Sequence, residues 1–376
     1  MKRIETLFIL VFLCSLFPFS ETKANKHISP HHPYIRYSGR VDRSKKESVS
    51  FDWPGVAIRC HFTGSSVGIK MNGGKDNYFN LFIDNELISV FHAPRDTTIV
   101  VETLNRKDSH ELRITKRTEA DMGMTRFMGI ILDDEGALEP VPNIEKRRIE
   151  FIGNSITCGY GTEGNNRDER FRPDTENSDK SYAAILARAF AAEAHYIAHS
   201  GIGVVRNYGD EQPVTDPDQT MPGRFNRTLD NDAGVTWDFS SWTPDCVIIN
   251  LGTNDFSTTP HPDKHTFQNG YKELIMQVRK AYGDIPVFCV VGPMINEPCY
   301  SYVKELTLYF RNVLKDDQLY FAGLPDNLLN QGDDLGSDWH PSYNGQKKIA
   351  AQLLNPIATR LNWDYVYEEM HPLVNN

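Results

Sequence analysis

Cysteine is scarce in this sequence, and its pattern offers no pairs. Six cysteines occur in 376 residues, at positions 14, 60, 158, 246, 289 and 299, and no C-x-x-C pair is among them. A zinc ribbon or a thioredoxin-type redox site needs such pairs, and a small disulfide-stapled scaffold needs a far denser set. Both classes are excluded, and Cys60, Cys158, Cys246, Cys289 and Cys299 are expected as buried free thiols. Basic charge is also short. Forty Lys and Arg stand against 50 Asp and Glu, a net charge of −10, so nucleic acid is a poor partner and a neutral substrate an easier one. Long apolar runs are missing beyond the first two dozen residues. There Lys2 and Arg3 precede an apolar stretch over 7–19 and then Thr22-Lys23-Ala24, the pattern of a cleaved secretory leader. The stretch is too short for a membrane span, and Leu13 stands before Cys14 where a lipid-anchor signal wants a small residue. The sequence predicts a secreted or periplasmic protein with no membrane anchor, its leader being residues 1–24. Nothing in it reports an oligomeric state.

What the chain does contain changes character near residue 145. Between 34 and 142, short runs rich in β-branched and aromatic residues (56–62, 66–71, 78–83, 87–91, 98–101, 111–115 and 127–132) are separated by G-S-S, N-G-G, D-N and D-D-E-G turns. Such spacing without helical periods indicates an antiparallel β-sandwich of the jelly-roll kind over residues 25–142. Residues 139–142 (E-P-V-P) form a stiff linker. His27, His31 and His32, beside prolines, are expected as an unstructured lead-in rather than a metal tract.

From 143 to 376 the pattern alternates. Apolar strand-like runs at 149–153, 195–199, 245–251, 286–292 and 318–322 are separated by amphipathic helical stretches at 181–194, 265–281 and 300–314, with a last helix at 344–361. This order predicts an α/β domain with a parallel sheet between helices. Residues 204–242, rich in Gly, Pro, Asp and Asn, read as a long functional loop beyond the second strand.

Chemistry-bearing residues gather at the carboxyl ends of the strands, where ligands of open parallel sheets bind. Ser155 follows the first strand within I-E-F-I-G-N-S-I-T-C-G-Y-G. Gly201 follows the second, Asn254 the third, and Asp338-Trp339-His340 comes just before the last helix. Acyl transfer needs a nucleophile, a base and donors for the developing oxyanion. Ser155, His340, the amides of Ser155 and Gly201, and the side chain of Asn254 could supply them. Each taken singly also fits a turn, a helix cap or a surface loop.

Together, Gly153-Asn154-Ser155-Ile156-Thr157, Gly201, Gly252-Thr253-Asn254-Asp255 and His340-Pro341 resemble the four blocks of the SGNH (GDSL-type) hydrolases. The resemblance implies a flavodoxin-like hydrolase domain with Ser155 as nucleophile, His340 as base, and Ser155, Gly201 and Asn254 as oxyanion donors. It implies no metal and no cofactor. With Tyr37-Ser38-Gly39-Arg40-Val41-Asp42, Trp53-Pro54-Gly55 and Asp338-Trp339-His340-Pro341, nearly the whole chain after the leader resembles carbohydrate esterase family two, deacetylases of plant polysaccharides. Two positions depart from the superfamily pattern. Asn154 stands where many members carry Asp, and Ser337 occupies the usual place of the acid. Asp338 is the substitute acid, the alternative being a Ser155–His340 dyad supported by a main-chain carbonyl. Trp339 is expected to stack on a sugar ring. The implied substrate is an acetylated carbohydrate: acetylated xylan, or glucomannan with 6-O-acetyl hexosyl units. A glycan-binding protein using Trp53 and Trp339 without chemistry is the competing class. A lipase or thioesterase ranks last, because no long apolar loop or helix offers an acyl site.

Overall fold

In the computed structural model, which describes residues 26–102, 108–142 and 145–366, the change of pattern near 145 divides two sheets of different logic. The expected leader lies outside the described residues. Before 145 a strand such as Ala57–Thr63 alternates buried and half-buried positions, which is how a strand with one face on a core reads. They pair antiparallel into two sheets. Among the described residues, one has five strands centred on Thr125–Leu132 and Ser66–Asn72, and the other has six centred on Ala57–Thr63 and His110–Lys116. Phe51, Phe62, Val67, Ile69, Phe79, Leu112 and Phe127 fill the space between them.

The N-terminal histidines do not form an unstructured lead-in. Lys26–Ile28 is an edge strand on Thr125–Leu132, and the His31 ring lies 2.8 Å from the Lys45 carbonyl. The stiff linker is shorter than expected as well, since Ala137–Glu139 still pairs with Ala57–Thr63.

After 145 five parallel strands run in spatial order second, first, third, fourth, fifth: Ala192–Ala198, Arg147–Gly153, Cys246–Asn250, Val287–Val291 and Leu319–Gly323. This is the flavodoxin-like order, and the carboxyl end of the first strand lies at its switch point. The third and fourth strands are buried along their whole length, because helices cover both faces. Ile249, Cys289 and Val291 face Lys264–Tyr282 and Cys299–Asn312, whereas Ile248, Phe288 and Val290 face Tyr182–Ala189 and Tyr343–Leu361. The five cysteines within the described residues are free and buried. No helix among them is long and apolar enough to cross a membrane.

Residues 204–242 are not a bare loop. They contain the short helix Met221–Arg224 and the hairpin Arg227–Leu229/Asp232–Thr236, and much of the segment packs against the sandwich. Trp53 is buried and donates to the Thr228 carbonyl at 3.1 Å. It therefore joins the two halves and cannot be a sugar platform.

Candidate active site

The register of the parallel sheet sets the site. Gly153 pairs with Ala198 on one side and Asn250 on the other, so the segments leaving all three strands start from one row. The first enters a single helical turn, Ser155–Cys158, capped by Asn154, whose Oδ1 accepts from the Ile156 N–H at 3.1 Å. The Asn at the position where Asp is common thus serves as an N-cap. Gly153 has no room for a side chain, since a Cβ there would lie 2.0 Å from Thr157 Oγ1. Buried Gln346 braces the turn from the last helix: its Nε2 donates to the Ile156 carbonyl at 3.0 Å and its Oε1 accepts from Tyr182 N–H at 2.8 Å.

Ser155 Oγ lies 2.8 Å from His340 Nε2, and His340 Nδ1 lies 3.0 Å from the main-chain carbonyl of Asp338. A carbonyl can only accept, so Nδ1 carries the proton and Nε2 is left to accept from the serine hydroxyl. Burial pushes the His340 imidazole down to about 4, with the Asp338 carbonyl opposing the shift. It is a neutral base at neutral pH.

Among the described residues the Asp338 carboxylate makes no hydrogen bond to the imidazole, and the Asp338 carbonyl stands there instead, as in the dyad alternative. Asp338 and Trp339 both take left-handed backbone angles, φ +48° and +64°, which turns the Asp338 carbonyl toward the ring and sends the carboxylate away. The carboxylate accepts from Tyr160 O–H (3.1 Å), Phe171 N–H (3.0 Å) and the exposed Arg170 guanidinium (3.0 Å). These bonds hold it below the usual carboxylate range. Asp338 N–H and Trp339 N–H are tied in turn to the carbonyls of Glu169 and Arg167. Tyr160, within the opening motif but not singled out there, also covers the base, its ring 4.3 Å from that of His340.

Gly201 has φ +76°, a left-handed angle that disfavours any side chain although a Cβ would find space. The N–H groups of Ser155 and Gly201 have no hydrogen-bond acceptor among the described residues. Asn254 is buried, and its Nδ2 donates to the Ile202 carbonyl at 2.8 Å. That bond orients the amide and leaves a second N–H. Asp255, the last residue of the same block, accepts from the N–H groups of Val204, Val205 and Arg206 and so ties the loop after Gly201 to the loop after the third strand. Trp339 is 47% exposed and its ring lies 4.2 Å from the Arg167 guanidinium. Tyr208, also exposed, packs beside Gly201 and donates its N–H to the Gly201 carbonyl. Its place in a polar segment gave no signal.

Among the described residues, the potential metal-ligating group is Glu119, Cys158 and Glu176, with ligand atoms within 4.8 Å of one another. Buried Lys116 supplies the neighbouring positive charge, its amine pulled down to about 8 by burial, and the Glu119 N–H donates to Glu176 Oε2.

The family model described as Carbohydrate esterase 2 N-terminal matches residues 37–142, and the GDSL-like Lipase/Acylhydrolase family matches residues 151–348. The chain is 39% identical over 337 residues to the cellulase/esterase CelE of Acetivibrio thermocellus, covering 88% of this chain and 40% of that protein. It thus spans less than half of that relative. It is 28% identical over 325 residues to an acetylxylan esterase / glucomannan deacetylase of Cellvibrio japonicus, covering 82% of this chain and 85% of the other. It is also similar, with a TM-score of 0.80 and 38% identity, to a family two carbohydrate esterase from Clostridium thermocellum solved in complex with cellohexaose, covering 88% of this chain and 99% of that one.

Proposed function

The chain belongs to carbohydrate esterase family two, and from that premise we propose that it removes O-acetyl groups from plant polysaccharides or their oligosaccharides. Ser155 Oγ attacks the acetyl carbonyl while His340 Nε2 takes its proton. The N–H groups of Ser155 and Gly201 and the Asn254 amide hold the oxyanion. The imidazolium then protonates the departing sugar oxygen, and water cleaves the acetyl-enzyme through the same base. The observation that carries this reading is the 2.8 Å Ser155–His340 contact with the far nitrogen engaged by a carbonyl. Neither a turn nor a cap requires that arrangement. The half-exposed Trp339 indole beside the base is suited to stack on a pyranose ring. Acetylated xylan, or glucomannan with 6-O-acetyl hexosyl units, is the proposed substrate, met outside the cytoplasm.

Acetate release from a panel of acetylated glycans, with a long-chain ester beside it, tests the reading. Ser155→Ala should abolish release without unfolding the protein, and Trp339→Ala should reduce turnover of acetylated oligosaccharides far more than that of a small aryl acetate. Wild-type turnover by Ser155→Ala would sink the mechanism. A second reading, favoured by the exposed indole and the relative solved with cellohexaose, is that the cleft binds unsubstituted glycan. Binding of cello-oligosaccharide with no acetate release from any glycan would select it.

A further inference from the structure

Beneath the strand ends lies a buried group that the chemistry above leaves unused. Glu119 belongs to the sandwich half, three residues beyond the strand His110–Lys116, and is 2% exposed. Glu176, from the half that carries Ser155, is fully buried against it. The Glu119 N–H donates to Glu176 Oε2 at 3.1 Å. Burial, then the nearby Glu119 charge, pushes the Glu176 carboxyl well above its ordinary range. Glu119 Oε2 takes the Ser200 N–H at 2.5 Å and lies 3.7 Å from the Cys158 thiol. Lys116 Nζ donates to the Thr118 and Glu119 carbonyls, at 2.5 and 2.9 Å, so the backbone of Glu119 is held as firmly as its side chain.

Ser200 immediately precedes Gly201. Its amide is pinned by the Glu119 carboxylate on one side, and the Gly201 carbonyl is pinned by Tyr208 N–H, at 2.8 Å, on the other. Between these two ties the Gly201 N–H has its direction set, at a glycine whose backbone could otherwise adopt many angles. We propose that Glu119, supplied by the sandwich half, is a positioning residue for the Gly201 donor of the oxyanion site, with Glu176 as its support. The inference rests on the hydrolytic reading of Ser155, Gly201 and His340. Oxyanion donors act through fixed geometry within about 3 Å of the developing charge, and a misplacement of ~1 Å caused from a distance can cost about a hundredfold in rate. A residue acting this way shows its effect in kcat and leaves ground-state binding alone.

The test uses the full chain, steady-state kinetics on a small aryl acetate, and thermal unfolding of each variant. Glu119→Ala should lower kcat about 10- to 100-fold with KM within about twofold. Glu119→Gln keeps an oxygen that accepts the Ser200 N–H and should recover most of that loss. Glu176→Gln keeps an oxygen that accepts the Glu119 N–H and should stay within about threefold of wild type. Should Glu119→Ala fail to fold, Glu119→Asp carries the test, since it withdraws the acceptor by one methylene and should show the same loss in kcat. Wild-type kcat in a folded Ala or Asp variant overturns the proposal, as does a loss confined to KM or to the unfolding temperature. Absence of turnover in the wild-type protein, or full turnover in Ser155→Ala, would remove the esterase reading itself. An inactive Ser155→Ala beside a fully active Glu119 variant removes only this inference.

Discussion

Asp338 illustrates how one residue can serve through its backbone while its side chain does something else. The carbonyl faces His340 and the carboxylate anchors the loop to Tyr160, Phe171 and Arg170. Asp338→Asn keeps the carbonyl and most of the anchoring geometry, so kcat on an aryl acetate should fall by less than about tenfold. In a Ser-His-Asp triad the same substitution costs about 10⁴, and a loss of that size would restore the carboxylate as the acid. Sequence spacing pointed to Asp338 because it counts positions. It cannot register that two successive left-handed residues exchange the carbonyl for the carboxylate. The depressed His340 also has a pH signature. Its neutral form persists down to about pH 4, so kcat/KM should stay flat from neutrality and fall only below about pH 5. Because the folded pKa lies under the ordinary 6.5, the unfolded chain binds this proton first. The stability contributed by the neutral imidazole is full above 6.5 and drains away as pH drops toward 4. A kinetic limb at 6.5 would show a solvated imidazole.

At the scale of the element, the strands and helices around the site were legible because each has its own period. The helix expected at 265–281 is Lys264–Tyr282, and that expected at 344–361 is Tyr343–Leu361. Boundaries slipped where caps decide them: the helix expected at 181–194 ends at Ala189, where the chain turns into the strand beginning at Ala192. Contacts between elements distant in sequence left no periodic trace. Gln346 is such a case, a buried polar residue on an otherwise apolar helix face, bonding residues 164 and 190 positions away. Gln346→Leu would leave the Tyr182 N–H and the Ile156 carbonyl unpaired. Each such group costs about 1–3 kcal/mol, so chemical denaturation should report a loss of roughly 2–6 kcal/mol. A loss under about 1 kcal/mol would mean that water replaces the amide.

Across the whole molecule, the halves that composition separates near residue 145 are joined by buried polar contacts. Arg40 of the sandwich donates to Glu150 of the first parallel strand at 3.1 Å, both side chains fully buried, and to the carbonyls of Phe225 and Arg227. Tyr282 O–H donates to the same Glu150 oxygen at 2.9 Å. Removing one partner of a buried pair leaves an uncompensated charge, so Glu150→Ala should cost about 3–5 kcal/mol, whereas replacing both partners with apolar residues should cost less. Calorimetry of the single and double variants separates these outcomes, and equal losses would deny the coupling. Composition showed where the chain changes character but not that Asp52 accepts the N–H groups of Asp230 and Asn231, because partners nearly 180 residues apart share no local pattern. This seam has a consequence for chimeras. A foreign sandwich joined to this recipient half would meet partners suited to an arginine at 40, an aspartate at 52 and a glutamate at 119. A chimera joined near residue 145 should therefore lose stability unless its foreign half brings side chains that meet these partners.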